Sequence, residues 1–386
     1  MHDVVIAGIG QTAVGEQWDI SIRELGFFAL EAARKDAGGL LPQALYLSNM
    51  LAPALSHQSH LATLVADFAG LQGIEAFTVE AAGASGGVAL RLAYLAVSSG
   101  AVDTAVALGV EKMSDQTVTN VSAAEATTTD SDYEAEHGLT PSSQAALLMR
   151  RYLHEFQSPA YAFGGFPVVA HANGATNPNA MFRKAIKPEL YQRAGMVSDP
   201  LNMFDVAPGA DGAAAIIVTR PELLPKQFGH PLVRVSGSSV VIDTLALHDR
   251  PDPLVFNAAR LSVERACSMA GRIPADMDLF ELFDAFSVYA ALSLEAAGWA
   301  ERGQGWKMAQ DGKLALNGDL PISTFGGLKA RGNPGGATGI YQAVEAVMQL
   351  RGVAGENQVP GAKVALIQAL GGPASTAATH VLEALD

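Results

Sequence analysis

Apolar positions along this chain fall into short uninterrupted runs that alternate with longer stretches of helical spacing. Residues 4–8 (VVIAG) form an apolar run that stops at Gly8 and Gly10, predicting a buried strand. Over 21–37, Leu25, Phe28, Leu30 and Ala33 recur on neighbouring turns, predicting a helix with one apolar face. Residues 44–51 predict another buried strand and 61–71 another helix. Strands alternating with helices argue for an α/β fold whose largely parallel sheet is covered on both faces.

The pattern then repeats itself. Residues 76–80 (AFTVE) predict a strand, AAGASGG a small-residue turn, 88–99 a helix ending at Gly100, and 103–109 (DTAVALG) a strand. Far downstream, 321–325 lead into the glycine-rich turn GGLKARGNPGGATG; a helix over 340–350 ends at Gly352, and 363–371 (KVALIQALG) are the next strand. Strand, glycine turn, helix, glycine, strand occurs in both halves, which suggests duplication without proving it, since lone units of this kind are common. Between the halves the texture changes. Residues 122–132 (SAAEATTTDSD) read as a polar surface loop, 142–154 as a helix, and 177–193 as short helices between turns. This stretch keeps aromatic and apolar residues throughout, so it is expected to be an inserted cap rather than a linker.

Composition narrows the function classes. The 386 residues carry a net charge of −14, and nucleic-acid binding needs clustered Lys and Arg, so no nucleic-acid partner is expected. Hydrophobic residues make up 49% and charged residues 17%, the balance of a chain with large cores. No apolar run is long enough to span a membrane, and the start MHDVVIAGIGQ has no basic segment, so neither a membrane span nor a signal peptide is expected. A single cysteine, Cys267, can form no internal disulfide; a reducing, cytoplasmic setting fits.

Several motifs fail on spacing. Gly8, Gly10 and Gly15 do not form a dinucleotide fingerprint, and GNPGGATG lacks the Lys-Ser/Thr pair of a phosphate loop. His57 and His60 lack acidic or Cys companions, so no metal site is expected. Gly83-Ala84-Ser85-Gly86-Gly87 does match G-x-S-x-G between a strand and a helix, with Asp284 and His380 as triad partners. His380 falls inside a regular element, however, and Ser85 reads better as a residue that caps its own helix.

Four longer segments carry a resemblance. TVEAAGASGGVALRLAYLAVSSGAVDTAVALGVEKMSD resembles the nucleophile region of thiolases, whose pattern is E-A-A-C-A-S-G. NPNAMFRKAIKPELYQRAGMVSDPLNMFDVAPGADGAAAIIVT is similar to the cap-to-core passage of the sterol-carrier-protein and archaeal-type members. DLFELFDAFS resembles their H-D-A-F segment, and GGLKARGNPGGATGIYQAVEAVMQLRG their G-H-P-x-G-A-T-G segment. The likeness runs in order over residues 4–385. It implies the thiolase fold: two duplicated βαβαβαββ halves in a five-layered αβαβα arrangement with an inserted loop domain. The division expected is 1–111 plus 209–229 for the first half, 112–208 for the inserted domain and 230–386 for the second half. It also implies a homo-oligomer, a dimer or dimer of dimers, built by pairing an open edge at the DTAVALG strand.

The reactive side chains that the resemblance calls for are absent. The nucleophile position holds Gly83, the His of the G-H-P segment is Asn333, the His or Asn of H-D-A-F is Phe283, and Ala285 stands where this group sometimes has Cys. Glycine cannot attack a thioester, and at Gly83 an empty side-chain volume is expected to face the acyl carbon. What remains at the catalytic positions is Gly83, Phe283, Asp284 and Asn333, with ligand contacts expected at Ala84, Ser238, Gly335 and Gly371. Backbone amides at Gly83 and Ala84 are expected to receive a carbonyl or enolate oxygen. HGLTPSSQAALLMRRYLHE also resembles the thiolase-like side-chain aldolases, which cleave β-hydroxyacyl-CoA esters with a small zinc-ribbon/OB-fold partner and have Gly at the nucleophile position. Their acid/base tyrosines would fall at Phe283 and Asn333; Tyr289 and Tyr341 lie nearby in sequence and read as packing aromatics. The expectation is therefore a protein that binds a coenzyme A thioester, with no cofactor attached covalently. It would be a carbon–carbon lyase of acyl-CoA, or a catalytically silent acyl-CoA-binding subunit; an acetyl-CoA acyltransferase comes third.

Overall fold

The computed structural model describes residues 2–226 and 228–385. The first half runs β1 (Val5–Gln11), α1 (Ile22–Asp36), β2 (Ala44–Ser48), α2 (Ala52–Leu55), α3 (Leu61–Phe68), β3 (Glu75–Val79), α4 (Ser85–Ser99) and β4 (Thr104–Glu111). Then come α5 (Val118–Ala126), α6 (Pro141–Glu155), α7 (Gly165–Gly174), α8 (Pro188–Gln192) and the small hairpin β5 (Met196–Ser198)–β6 (Leu201–Asn202), before β7 (Gly212–Thr219) returns to the sheet. The second half is β8 (Val233–Ile242), α9 (Asn257–Ala270), β9 (Leu279–Glu281), α10 (Ser287–Ala296), α11 (Gly305–Gln310), α12 (Thr338–Leu350), β10 (Val364–Gly371) and β11 (Thr376–Ala384).

Strand order exposes the duplication. The first half reads β3-β2-β4-β7-β1 and the second continues β8-β11-β10-β9, joined by a single pairing of Val5 with Arg234. In each half, parallel pairs at one end give way to antiparallel pairs at the other. The third strand of the second half, expected over 321–325, is reduced to one parallel bridge between Phe280 and Ile322. Pro321 opens that segment with no backbone donor to give to a ladder.

Alternating residues separate the layers. Val106 and Leu108 of β4 face α1 and α3, whereas Ala105 and Ala107 face the central pair α4 and α12. Ala365 and Ile367 of β10 face the same central pair from the other side, and Val364 and Leu366 face an outer layer containing α9 and α10. Helix, sheet, helix pair, sheet, helix is the five-layered arrangement that the resemblance implies.

Glycines at close approaches explain several boundaries. Residues 4–8 were expected to end at glycine, yet β1 continues to Gln11. Gly8 and Gly10 pass so near α1 that an added Cβ would lie 2.2 Å from the Ala33 carbonyl and 2.3 Å from that of Ala29. The glycines there mark helix–strand contact rather than a turn. In the middle of the molecule α4 and α12 touch at their first turns, where a Cβ on Gly339 would stand 2.4 Å from the Gly87 nitrogen. The echoed small-residue turns are small because these two helix starts meet.

Two further expectations change. Residues 122–126 of the stretch 122–132 expected as a loop belong instead to a helix, α5; Thr117 caps it by accepting from the Asn120 N–H, and three alanines favour it. The DTAVALG segment is interior, held between β2 and β7, because the βαβ crossovers place β2 beyond β4. The open edge is β3, whose residues 75–78 are exposed or half-buried. No helix among the described residues is long and apolar enough to cross a membrane.

Candidate functional site

The two echoed turns, residues 82–84 and 335–337, lie side by side because the helices that follow them cross at their glycines. Around them the end of β10 (Leu370, Gly372) and the segment after β9 (Phe283, Ala285, Phe286) close a cavity of about 90 Å³. Its roof comes from the inserted stretch: Glu125, Thr128 and Thr129 at the end of α5, and Pro141, Ser142 and Gln144 at the start of α6.

The structure brings Gly83, Phe283, Asn333 and Gly335 of the expected residues to this cavity. Gly83 is not beside an empty volume. A Cβ built there would stand 2.7 Å from Cζ of Phe283 and 2.6 Å from the Leu370 carbonyl oxygen. Phe283 is 6% exposed and packed into the outer core, so its ring occupies the space in which a nucleophile at position 83 would need to sit. The two departures from the thiolase pattern are thus one steric event.

Asn333 is fixed by its backbone, which donates to the Pro208 carbonyl (2.9 Å) and accepts from Ala210 (3.1 Å), while its Oδ1 accepts from the Thr338 hydroxyl (3.0 Å). Gly335 has a φ of +42°, and a Cβ there would meet Glu111 Oε2 at 2.8 Å. Glu111 itself is a buried strut behind the wall: it accepts from the amides of Met50, Leu51 and Gly336 and from Asn49 Nδ2. Burial pushes its carboxyl up to about 7 against those hydrogen bonds.

Other expected residues lie elsewhere. Asp284 points away from the cavity, accepting from the Leu328 N–H (2.8 Å) and the Ser323 hydroxyl (3.3 Å); burial raises its pKa, with the buried Lys329 ammonium acting against that. It holds the turn around 327–331 and touches no cavity group. The Ala84 amide closes its own tight turn on the Ala81 carbonyl at 3.1 Å, so it is not available to an oxyanion. Gly371 passes Ala81, whose carbonyl would be 2.6 Å from an added Cβ, and does not line the cavity. Ser238 sits in β8 opposite His380, where Arg91 donates to it.

No Ser85–His380–Asp284 relay exists. The Ser85 hydroxyl donates to the Ala82 carbonyl (2.6 Å) and accepts the Ala81 amide (2.8 Å), pinning a turn in which Ala82 has a φ of +51°. His380 Nε2 contacts the Gly87 carbonyl at 2.9 Å, and burial lowers its pKa to about 4. Cys267 lies buried in α9, its thiol pushed up to about 11 by burial. Tyr341 is committed to Thr12, accepting from or donating to its hydroxyl and donating to its carbonyl, each at 3.1 Å. Tyr289, by contrast, lines the cavity, packed edge-on against Phe256 and Phe286. No group of three His, Cys, Asp or Glu side chains suited to a metal exists among the described residues.

Sequence reasoning missed Glu125 and Gln144, both on the roof. Glu125 was read as part of a polar loop, and nothing in its spacing links it to Gly83. Burial with no hydrogen-bond partner pushes its carboxyl up to about 7. Among the described residues it is the one charged side chain lining the cavity. What the arrangement offers chemically is therefore a carboxyl, amides and hydroxyls, with no thiol and no imidazole among the lining residues.

Comparisons with known proteins agree with this architecture. Residues 4–222 match the thiolase N-terminal domain and 239–384 the thiolase C-terminal domain-like family. An acetyl-CoA acetyltransferase of Methanothermobacter thermautotrophicus is 41% identical over 383 residues, 99% of each chain. The 17-hydroxy-3-oxo-4-pregnene-20-carboxyl-CoA lyase of Mycobacterium tuberculosis is 31% identical over 251 residues, 64% of each chain. Among solved structures, the Ltp2-ChsH2(DUF35) aldolase superposes with a TM-score of 0.83 at 25% identity, covering 99% of this chain and 98% of that one. With two thiolase domain families that together match most of its length and a relative so similar from end to end, this chain belongs to the thiolase family.

Proposed function

We propose that the protein binds an acyl-coenzyme A thioester and cleaves a carbon–carbon bond in a β-hydroxyacyl group by a retro-aldol step, without an acyl-enzyme. The observation that carries this reading is the Phe283 ring in the side-chain space of Gly83, within a cavity that still presents polar groups. Thiolytic acyl transfer needs a nucleophile and a base to activate it. A retro-aldol cleavage needs only a base and a place for an enolate oxygen, for which the Asn333 amide is a donor of the right kind. Residues 112–208 act in this reading as the cap that closes the acyl site. The likeness to a lyase and to an aldolase described with a DUF35 chain supports both the reaction and association with a small zinc-ribbon/OB-fold partner. We further propose a homo-oligomer in the cytoplasm.

A second reading, a silent acyl-CoA-binding subunit, draws on the benzoylsuccinyl-CoA thiolase subunit of Thauera aromatica, 29% identical over 365 residues. Two assays separate the readings. Incubation with acetoacetyl-CoA followed by intact mass measurement is expected to give no adduct, and short 3-hydroxyacyl-CoA esters are expected to yield acetyl-CoA and an aldehyde. An acyl adduct returns the protein to the acyltransferases. Binding without turnover, with and without the partner, leaves the silent subunit.

A further inference from the structure

The roof of the cavity carries two polar groups that the fold leaves without partners. Gln144 is 1% exposed, lines the cavity, and neither Oε1 nor Nε2 makes a hydrogen bond among the described residues. A buried amide left unpaired is costly, and such a group in a pocket is explained by a ligand that pairs with it. Glu125, the other, lines the same cavity and its carboxylate has no hydrogen bond or ion pair among the described residues. Both sit at the ends of their helices that reach the cavity: α5 ends at Ala126 and α6 begins at Pro141, where Thr140 and Ser143 cap each other and leave the Gln144 side chain free, while Ala145, Leu148 and Met149 of α6 pack into the core.

The cavity is also small. About 90 Å³ is some three-fifths of the roughly 150 Å³ that admits benzene, room for about four non-hydrogen atoms. It suits the far end of a short acyl chain, and not a polycyclic one.

We propose that Glu125 is the acid–base residue of this site, that Gln144 holds the β-oxygen beside it, and that the acyl group taken is a short β-hydroxyacyl chain. This rests on the lyase reading above. The Glu125 carboxylate takes the proton of the β-hydroxyl; the electron pair of the Cα–Cβ bond moves into the thioester as that bond breaks, and the β-carbon leaves as an aldehyde. The enolate then takes the same proton back from Glu125 at Cα, giving acetyl-CoA and restoring the carboxylate. No oxidant, metal or second substrate is consumed. A carboxyl held near 7 by burial is matched to giving and taking a proton at neutral pH. Tyr289 is the other titratable group on the lining, and burial raises its pKa, keeping it neutral. Glu111, behind the wall, has its carboxyl fully engaged in hydrogen bonds.

The test uses 3-hydroxybutyryl-CoA and the full chain, with and without the small partner, following acetyl-CoA and acetaldehyde. Glu125→Gln is expected to lower kcat by at least about a hundredfold with KM within about threefold, the low end of a general-base effect. The wild-type rate is expected to rise with pH to a plateau above about 7, and this limb is expected to vanish from the residual activity of the variant. Gln144→Leu, which removes only unpaired atoms and should melt no lower than wild type, is expected to raise KM about tenfold. It should also abolish the preference for 3-hydroxybutyryl-CoA over butyryl-CoA in calorimetric binding. A 3-hydroxydodecanoyl-CoA ester is expected to be turned over at least tenfold less efficiently. If the wild type turns over and Glu125→Gln stays within threefold of it, the assignment of Glu125 is overturned while the lyase reading stands. If no 3-hydroxyacyl-CoA is cleaved under either condition, the lyase reading falls and the role of Glu125 with it. Equal affinity for the hydroxylated and plain esters overturns the role of Gln144 in either case.

Discussion

Replacing Gly83 by alanine isolates the steric event at the centre of the site. The new Cβ would lie 2.6 Å from the Leu370 carbonyl oxygen and 2.7 Å from Phe283 Cζ, where ordinary contact needs well over 3 Å. Position 83 has no left-handed backbone angle, so the cost comes from crowding alone. Overpacking a buried site costs about 1–3 kcal/mol, and the lost freedom of glycine in the unfolded chain returns roughly 0.4–1 kcal/mol. A net destabilisation of about 1–2 kcal/mol follows. Phe283→Leu removes the ring edge but leaves the Leu370 carbonyl in place, so it relieves one of two obstacles. In a double-mutant cycle, Gly83→Ala is therefore expected to cost at least about 0.5 kcal/mol less in the Phe283→Leu background, within the range for residues in contact. Urea unfolding at constant m is the assay. Additivity within about 0.3 kcal/mol, or a neutral Gly83→Ala, would refute the claim that Phe283 fills the nucleophile space.

Two further outcomes are expected. Glu125 holds its proton more tightly in the folded chain, near 7 against 4.5 unfolded, so the folded state binds more protons across that interval and stability falls as pH rises from about 4.5 to 7. Each unit is worth about 1.4 kcal/mol; solvent screening of a half-exposed group reduces the total to about 1–2 kcal/mol. Glu125→Gln should therefore stabilise the protein by that amount at pH 8 and by nothing at pH 4, and an equal effect at both would contradict this reading. At the open edge of the sheet, Phe77 of β3 is 42% exposed, and an uncovered strand of that kind invites pairing with a second copy. Thr78→Pro is expected to turn a dimer into a monomer of 40.1 kDa in light scattering, and a wild type that is already monomeric at micromolar concentration would rule the dimer out.

Local patterning along the chain was enough for most of the scaffold. Uninterrupted apolar runs and helical spacing located β2, β4, α1, α3 and α12 to within a few residues, because both signals are local to the segment that carries them. The paired glycine turns announced the duplication, and Gly83, Phe283 and Asn333 announced the departure from the thiolase sequence pattern, since each lies inside a contiguous segment. Tertiary structure decided everything that depends on distant segments meeting. Position 283 is 200 residues from Gly83 in the sequence, and only packing puts its ring into the space beside that glycine. Strand order, set by crossovers and not by composition, moved the open edge from β4 to β3. Asp284, beside Phe283 in the chain, faces the opposite way, because successive residues of an extended segment alternate in direction. Glu125 and Gln144 carry no mark in the sequence at all: a glutamate among alanines and a glutamine after a helix cap become unpartnered lining groups only when the inserted segment folds over the glycine turns, leaving Gln144 buried and Glu125 half-buried.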